Sequence, residues 1–252
     1  MRIKTSYIII TWNGKSLLQN LLQSMTNQLK RDDIEVIVTD NGSTDGTVQW
    51  IQQEYPDVHL ILLPQNKGVA YARNKALAAA KGKYLLILDN DICITDQAIF
   101  GLEEYMDLHP EVGMVGCKLL YPSGELQESC KPYPGIWQKI KHVLFPSVST
   151  MAYAKQIEEG KPFEPDYLIG ACQMVRADVY HKIGPLDEHI FYGPEDCDYC
   201  IRVRCEGLKV VYIPYVSMVH HCQRKTTTRP FSKLGREHIK ALFYFYWKHK
   251  RL

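Results

Sequence analysis

The sequence predicts an α/β protein with a mostly parallel central sheet and helices on both of its faces. The first third of the chain alternates short runs rich in β-branched residues with segments of helical periodicity. This is the pattern of parallel strands joined by crossover helices. The chain has 252 residues, of which 46% are hydrophobic, and this is enough apolar material for one compact unit.

The strands and helices follow in order along the chain. The predicted strands are residues 7–11, 35–39, 58–63 and 84–88, followed by residues 169–175 and 209–213. The helices predicted between the first four strands are residues 15–28, 44–53 and 69–80, and a further helix begins near Glu195. Side-chain oxygens of Ser43, Thr44 and Asp45 can cap the second helix. Residues 117–165 are rich in Pro and Gly, and we predict an irregular, substrate-facing insertion there.

Composition and charge exclude several classes of function. The net charge is only +2, so nothing favours general binding to nucleic acid. The chain has no run of about 20 apolar residues that could span a bilayer, and its start does not resemble a signal peptide. The eight cysteines are scattered, so we expect reduced thiols and a cytoplasmic location.

Two carboxylates, Asp89 and Asp91, follow the apolar run 84–88 with one residue between them. Ligands of open parallel sheets bind at the carboxyl ends of the strands, where Thr11 and Asp40 are also expected. A pair of carboxylates at that edge suits Mg²⁺ or Mn²⁺ carrying diphosphate oxygens. The alternative is a simple turn, which Asp and Asn also favour.

Two later clusters also allow a functional and a structural interpretation. Glu195, Asp196 and Asp198 either satisfy the start of a helix or supply a carboxylate that takes a proton from an attacking hydroxyl. His220 and His221 follow an apolar run. An imidazole there either adds a nitrogen ligand to a metal, which would favour Mn²⁺ over Mg²⁺, or is an ordinary polar side chain.

Several familiar nucleotide and metal motifs are absent from the sequence. No G-x-G-x-x-G follows the first strand and no G-x-x-x-x-G-K-[ST] occurs, so a dinucleotide site and a Walker-type ATP site are disfavoured. Cys197 and Cys200 lie one helical turn apart, but no second pair has the spacing of a zinc finger. A structural zinc site is therefore disfavoured as well.

Taken together, the order and spacing of these motifs resemble glycosyltransferase family 2, in particular its bacterial, rhamnosyltransferase-like members. The matching segments are residues 7–13, 38–47, 66–68, 72–74, 88–91, 170–172, 184–188, 195–198 and 219–221. The resemblance implies the GT-A fold, a Rossmann-like fold of nucleotide-diphospho-sugar transferases. After His221 the chain departs from the family pattern, and we expect Arg224 or Lys225 to reach the diphosphate of the donor.

The resemblance also implies roles for individual residues. Asp196 would be the general base, and Glu195 beside it would orient the acceptor. A divalent cation, Mn²⁺ or Mg²⁺, would be bound by Asp91, Asp89 and His220. The nucleotide of the donor would lie against Thr11, Asn13, Asp40, Asn41, Arg73, Asp89 and Asn90.

The function expected from this resemblance is metal-dependent, inverting transfer of a hexose or deoxyhexose. The donor would be a UDP- or dTDP-sugar, and the acceptor a hydroxyl of a glycan or lipid-linked molecule in cell-surface polysaccharide synthesis. A carboxylate facing the attacking hydroxyl would accept its proton in a single displacement. Two alternatives stay open: a sugar-phosphate nucleotidyltransferase, and a catalytically inactive module that binds sugar nucleotides.

We divide the chain into three parts. Residues 1–118 are the expected nucleotide-sugar-binding half, residues 119–235 the acceptor-binding and catalytic half of the same domain, and residues 236–252 a basic, aromatic C-terminal helix. Such a helix either lies among the headgroups of an anionic membrane or packs its aromatic rings on the body of the protein. The first alternative would make the enzyme a peripheral protein at the inner face of the membrane.

Overall fold

The computed structural model of the protein describes residues 2–133, 151–222 and 233–250. The strands are β1 (Thr5–Thr11), β2 (Ile34–Asp40), β3 (His59–Leu62), β4 (Tyr84–Asp89), β5 (Ile92–Cys93), β6 (Val112–Leu120), β7 (Leu126–Gln127), β8 (Cys130–Lys131), β9 (Tyr167–Leu168), β10 (Cys172–Arg176) and β11 (Lys209–His220). The helices are α1 (Lys15–Ser24), α2 (Thr47–Glu54), α3 (Val69–Ala79), α4 (Asp96–Leu108), α5 (Ala154–Glu158), α6 (Ala177–Ile183), α7 (Glu195–Cys205) and α8 (Lys233–Lys248).

One mixed sheet organises the described residues. Its strands lie in the order β3-β2-β1-β4-β10-β6-β11-β5, and β7 also pairs with β6. The first four strands, β1 to β4, are parallel to one another, as the alternating pattern predicts. However, β10 is antiparallel to both β4 and β6. The sheet is thus parallel in its first half and mixed in its second.

The two faces of the sheet bury separate sets of side chains, because successive residues of a strand point to opposite sides. Tyr7 and Ile9 of β1 belong to a cluster with Leu18, which α1 supplies. Ile8, between them, belongs to a second cluster with Ala76, which α3 supplies. Helices therefore cover both faces, as predicted.

Among the predicted elements, the boundaries of α1 and β11 differ most from the sequence prediction. Helix α1 ends at Ser24 and is followed by a separate 3₁₀ turn, Gln28–Lys30. The hydroxyls of Ser24 and Thr26 donate to carbonyls of the preceding turn, which competes with continuation of the helix. Strand β11 continues to His220, far beyond the predicted end at 213, with an irregularity between Ile213 and Ser217.

The fold brings the polar strand ends together at one edge. Strands β1, β2 and β4 are parallel and in register there, with Thr11 opposite Asp40 and Ile10 opposite Asp89. Strand β11 reaches the same region because its last residues pair with β5, His220 opposite Ile92.

The eight cysteines are all free thiols. In residues 2–133, 151–222 and 233–250, no helix has the length and apolar character to cross a membrane.

Candidate active site

The loop after β2 is organised around the carboxylate of Asp40, the last residue of that strand. Its Oδ2 accepts hydrogen bonds from the backbone N–H groups of Gly42, at 3.1 Å, and Ser43, at 2.9 Å. Its Oδ1 is buried and has no hydrogen-bond partner in the described part of the chain. A buried acceptor left without a donor costs roughly 1–3 kcal/mol. A ligand that offers an N–H group would remove this cost.

Thr11, Asn13, Asn41 and Asn90, also predicted beside the nucleotide, make contacts within the protein. Oγ1 of Thr11 accepts from Nδ2 of Asn90 at 3.0 Å and so joins the ends of β1 and β4. Asn13 has a φ of 48°, and its Oδ1 accepts from the backbone N–H of Thr44 at 2.7 Å. Asn41 is buried and donates to a backbone carbonyl before α3. Asn13 and Asn41 therefore shape the loops that border the edge.

Asp89, Asp91 and His220 form a cluster with the geometry of a metal site. One ligand atom of each lies within 4.8 Å of the others, and Nε2 of His220 is 3.0 Å from Oδ1 of Asp91. No other group of three or more His, Cys, Asp or Glu side chains in the described ranges meets this condition. Two carboxylates and an imidazole fit Mn²⁺ or Mg²⁺ by their chemistry.

The two adjacent histidines have different surroundings. His220 is buried, and its ring lies between Asp91 and Gln127, whose Oε1 is 2.8 Å from Nδ1 of the ring. The backbone N–H of His221 donates to the carbonyl of Asp91 at 2.8 Å, but its ring lies beside the thiol of Cys93, at 3.6 Å. His220 is thus the histidine that faces the carboxylates.

The buried guanidinium of Arg73 connects this cluster to a second pair of acids. Its Nη2 donates to Oδ1 of Asp89 at 2.6 Å and to the carbonyl of Gly170 at 2.8 Å. Its Nη1 donates to Oε1 of Glu195 at 3.2 Å. Burial raises the pKa of Asp89, and the charge of Arg73 opposes that rise. Arg73 therefore holds one acid of each cluster.

Glu195 and Asp196 form the first residues of α7. Oδ2 of Asp196 accepts from the backbone N–H of Gly170 at 2.9 Å, and Oδ1 accepts from that of Cys197 at 2.7 Å. Oε2 of Glu195 accepts from the backbone N–H of Gly193 at 2.9 Å. The acids thus satisfy N–H groups near the helix start, as the structural interpretation expects. They also lie at the edge where β4 ends, as the functional interpretation requires.

Burial sets the protonation behaviour of this pair. It raises the pKa of Glu195, and the adjacent charge of Asp196 adds to the rise while Arg73 opposes it. Burial also raises the pKa of Asp196, against the hydrogen bonds from the backbone N–H groups of Gly170 and Cys197. A carboxylate with a raised pKa is a stronger proton acceptor than an exposed one.

Gly170 is a site residue whose contacts the sequence did not predict. Its N–H binds Asp196 and its carbonyl binds Arg73, so it does not belong to β10, which begins at Cys172. A Cβ at position 170 would lie 2.7 Å from Nη1 of Arg73. The signal in the sequence was a glycine inside a predicted strand, which often marks a close backbone approach.

The C-terminal helix α8 packs directly on the elements that carry Glu195 and Asp196. Phe245 is buried against Cys197 of α7. Nζ of Lys248 lies 2.6 Å from Oδ1 of the fully buried Asp198 and 2.7 Å from Oδ2 of Asp187. Hydrogen bonds from Lys248 keep the pKa of Asp187 low although burial raises it. The inner face of α8 therefore packs on the body.

A comparison with family models identifies the relationship. The model described as "Glycosyl transferase family 2" matches residues 6–184. The chain belongs to glycosyltransferase family 2. This family 2 chain is 26% identical over 258 residues to the N-acetylglucosaminyl-diphospho-decaprenol L-rhamnosyltransferase of Mycobacterium tuberculosis, covering 96% of this chain and 84% of that protein. It is 29% identical over 224 residues to the dTDP-rhamnosyl transferase RfbF of Shigella flexneri, covering 84% and 67%.

Solved structures confirm the GT-A fold of this family 2 glycosyltransferase. The mannosyltransferase PcManGT of Pyrobaculum calidifontis, in complex with GDP-Man and Mn²⁺, superposes with a TM-score of 0.63 at 21% identity, over 89% of this chain and 59% of that one. GalNAc-T7, with UDP, GalNAc and Mn²⁺, gives a TM-score of 0.64 at 14% identity, over 86% and 44%. The chain thus spans about half the length of these two structures.

The predicted site residues differ in how the fold uses them. Asp89, Asp91 and His220 come together, and so do Glu195 and Asp196, with Arg73 between the two groups. Their roles in catalysis, like the division of the chain into two halves and a tail, stay predictions. The helix predicted from residue 236 begins at Lys233. Arg224 and Lys225, predicted to reach the diphosphate, lie outside the described residues.

Proposed function

We propose that this family 2 enzyme is an inverting, metal-dependent glycosyltransferase. It moves a sugar, in our proposal a hexose or deoxyhexose, from a UDP- or dTDP-sugar to a hydroxyl of a glycan or lipid-linked acceptor in cell-surface polysaccharide synthesis. The observation that carries the proposal is the convergence of Asp89, Asp91 and His220 with Glu195 and Asp196 around Arg73. The names of the two rhamnosyltransferases favour a deoxyhexose donor.

The edge formed by β1, β2 and β4 is the proposed nucleotide site. The unpartnered Oδ1 of Asp40 would accept from the ring N–H of a pyrimidine base, with Thr11 and Asn90 beside it. Asn13 and Asn41 would act by holding the bordering loops, through the contacts that they make with backbone groups. Uracil and thymine both carry such an N–H group, so Oδ1 alone does not separate UDP from dTDP.

Asp91, Asp89 and His220 are the proposed ligands of a divalent cation, Mn²⁺ or Mg²⁺. The short separation of their ligand atoms suits an ion, because a cation between two carboxylates this close relieves their mutual repulsion. When bound, such an ion would stabilise the negative charge that grows on the leaving diphosphate. The relatives of known structure were solved with Mn²⁺, which supports the choice of a divalent metal.

Asp196 is the proposed general base. Its carboxylate takes the proton of the acceptor hydroxyl while the hydroxyl oxygen forms its bond to the anomeric carbon. The bond from that carbon to the diphosphate oxygen breaks, and the electron pair leaves with the diphosphate. Attack opposite the leaving group inverts the anomeric centre. Glu195, held by Arg73 and Gly193, would orient the acceptor.

A donor screen followed by product analysis tests this function. We expect UDP- or dTDP-sugars with Mn²⁺ to raise the melting temperature of the protein, because a ligand at 100 times its Kd adds about 2.7 kcal/mol to the free energy of unfolding. Asp91→Asn should remove the effect of Mn²⁺. Incubation with acceptor should then release the nucleoside diphosphate and give a product of inverted anomeric configuration.

Other outcomes would favour the alternative functions. Binding of sugar nucleotides without any turnover over a range of acceptors would indicate an inactive binding module. Release of pyrophosphate from a nucleoside triphosphate and a sugar phosphate would indicate a nucleotidyltransferase. A product that retains the donor configuration would contradict the single displacement.

Peripheral membrane contact through residues 236–252, at a cytoplasmic face, is also part of the proposal. The outer surface of α8 supports it: the exposed side chains of Ile239, Phe243 and Trp247 share this surface with Arg236, Lys240 and Lys250. Phe243 is 73% exposed and Trp247 63%. Aromatic and basic side chains on one helix face suit an anionic bilayer surface.

Vesicle sedimentation tests this contact. We expect the protein to bind vesicles that contain phosphatidylglycerol, and to bind less in high salt because the basic charges are screened. Phe243→Ser combined with Trp247→Ser should abolish binding. The matched control is Phe100→Ser, since Phe100 is 49% exposed on α4. Equal sedimentation of wild type and the double variant would remove membrane contact from the proposal.

A further inference from the structure

Gln127, on the short strand β7, is a buried polar residue whose side chain the proposed function leaves without a role. The strand pairs antiparallel with the end of β6, Gln127 opposite Leu119. Strand β11 is also a neighbour of β6, with Val219 opposite Leu120. The two elements therefore bring Gln127 and His220 together from positions 93 residues apart in the chain. Only 5% of the surface of Gln127 is exposed.

The contact between the two side chains favours a proton on Nδ1 of the imidazole. Oε1 of Gln127 lies 2.8 Å from Nδ1 of His220. A carbonyl oxygen can only accept, so Nδ1 must be the donor. In the neutral imidazole the lone pair is then on Nε2, the atom that lies 3.0 Å from Oδ1 of Asp91.

We propose that Gln127 is a positioning residue for the metal site. It holds the ring of His220 in the orientation and tautomer that present the Nε2 lone pair to a divalent cation between Asp89 and Asp91. The inference rests on the proposed metal site and extends it to a residue that touches neither the ion nor the substrate. Partners of this kind behind a ligating histidine usually contribute 10- to 100-fold to metal affinity.

Titration with Mn²⁺ alone, and with Mn²⁺ in the presence of UDP or dTDP, tests the proposal, with free Mn²⁺ followed by electron paramagnetic resonance. We expect Gln127→Leu to bind Mn²⁺ about 10- to 100-fold more weakly than wild type. Gln127→Glu should bind it at least as tightly, because a carboxylate still accepts from Nδ1–H. A role in packing alone would make both substitutions harmful.

The matched control is Ser129→Ala. Ser129 lies two positions away, is also buried, and its hydroxyl contacts Cys117 and Tyr212 and not the histidine ring. This variant should bind Mn²⁺ like wild type. If Gln127→Leu does not fold, the nearly isosteric Gln127→Met takes its place, with the same expected loss.

Two results would overturn the proposal. If wild type binds Mn²⁺ and a folded Gln127→Leu or Gln127→Met binds it equally, Gln127 does not position His220, and the proposed function is unaffected. If wild type binds no Mn²⁺ under any of these conditions, the metal site itself fails, whether or not the protein transfers sugar.

Discussion

The cluster of Asp89, Asp91 and His220 and the pair of Glu195 and Asp196 both contain carboxylates, but the fold holds them in different ways. In the described part of the chain, the carboxylate of Asp91 is contacted by an imidazole ring. Each oxygen of Asp196, by contrast, accepts a backbone N–H. A carboxylate held by a side chain can turn towards an incoming cation. One held by two backbone groups keeps its place, which suits the general base that we propose for Asp196.

The largest expected effect comes from replacing the proposed general base, Asp196, while the proposed metal ligands stay intact. We expect Asp196→Asn to lower kcat by about 10²- to 10⁴-fold, the usual contribution of a general base. Donor affinity, measured by calorimetry with Mn²⁺ present, should stay close to that of wild type. Full activity of this variant would show that the base lies elsewhere.

Loss of the link between the two clusters should mainly reduce stability. Arg73→Met removes the guanidinium that pairs with the buried Glu195 and with Asp89. Removing one partner of a buried ion pair costs about 3–5 kcal/mol, and urea denaturation measures this.

The matched control for Arg73→Met is Arg31→Met. Arg31 pairs with the buried Glu103 in a separate network, so this variant should lose stability and keep its affinity for Mn²⁺. If Arg73→Met is as stable as wild type, the two clusters are not coupled through the guanidinium.

The smallest effect is a shift in pH dependence. Asp196 accepts a proton only when it is ionised, and burial raises its pKa. We therefore expect kcat/KM, at saturating Mn²⁺, to fall with decreasing pH at a higher pH than an exposed aspartate would give. Arg73 lowers the pKa of Asp196, so Arg73→Met should move this acidic limb to still higher pH. A limb at the same pH in both proteins would argue against Asp196 as the titrating group.

The sequence predicted the first half of the fold better than the second because the first half depends on local signals. Strands β1 to β4 alternate with helices, and Asp89 and Asp91 follow a buried run, so their position at the sheet edge could be inferred. The antiparallel insertion of β10 between β4 and β6 depends on long-range pairing. No periodicity in one segment reports which strands that segment will pair with.

The same distinction holds within the candidate site. Motif order placed His220 with the two aspartates, and the structure brings them together. Gln127 could not be predicted, because it comes from a two-residue strand in a region rich in turn residues. The contact of Gly170 with Arg73 and Asp196 uses backbone atoms, which nearly all residue types share, so only the glycine itself marked the close approach.

The two residues before β10, Gly170 and Ala171, connect the two groups of acids through backbone hydrogen bonds. The carbonyl of Ala171 accepts a hydrogen bond from the backbone N–H of Asp89 at 3.1 Å, and the backbone N–H of Gly170 donates to Asp196 at 2.9 Å. The distance between the two groups of acids therefore depends on the length of this dipeptide. An extra residue inserted there would widen that interval by the length of a peptide unit, about 3.8 Å. In the proposed function, this short span of backbone would therefore set the distance between the metal ligands and the general base.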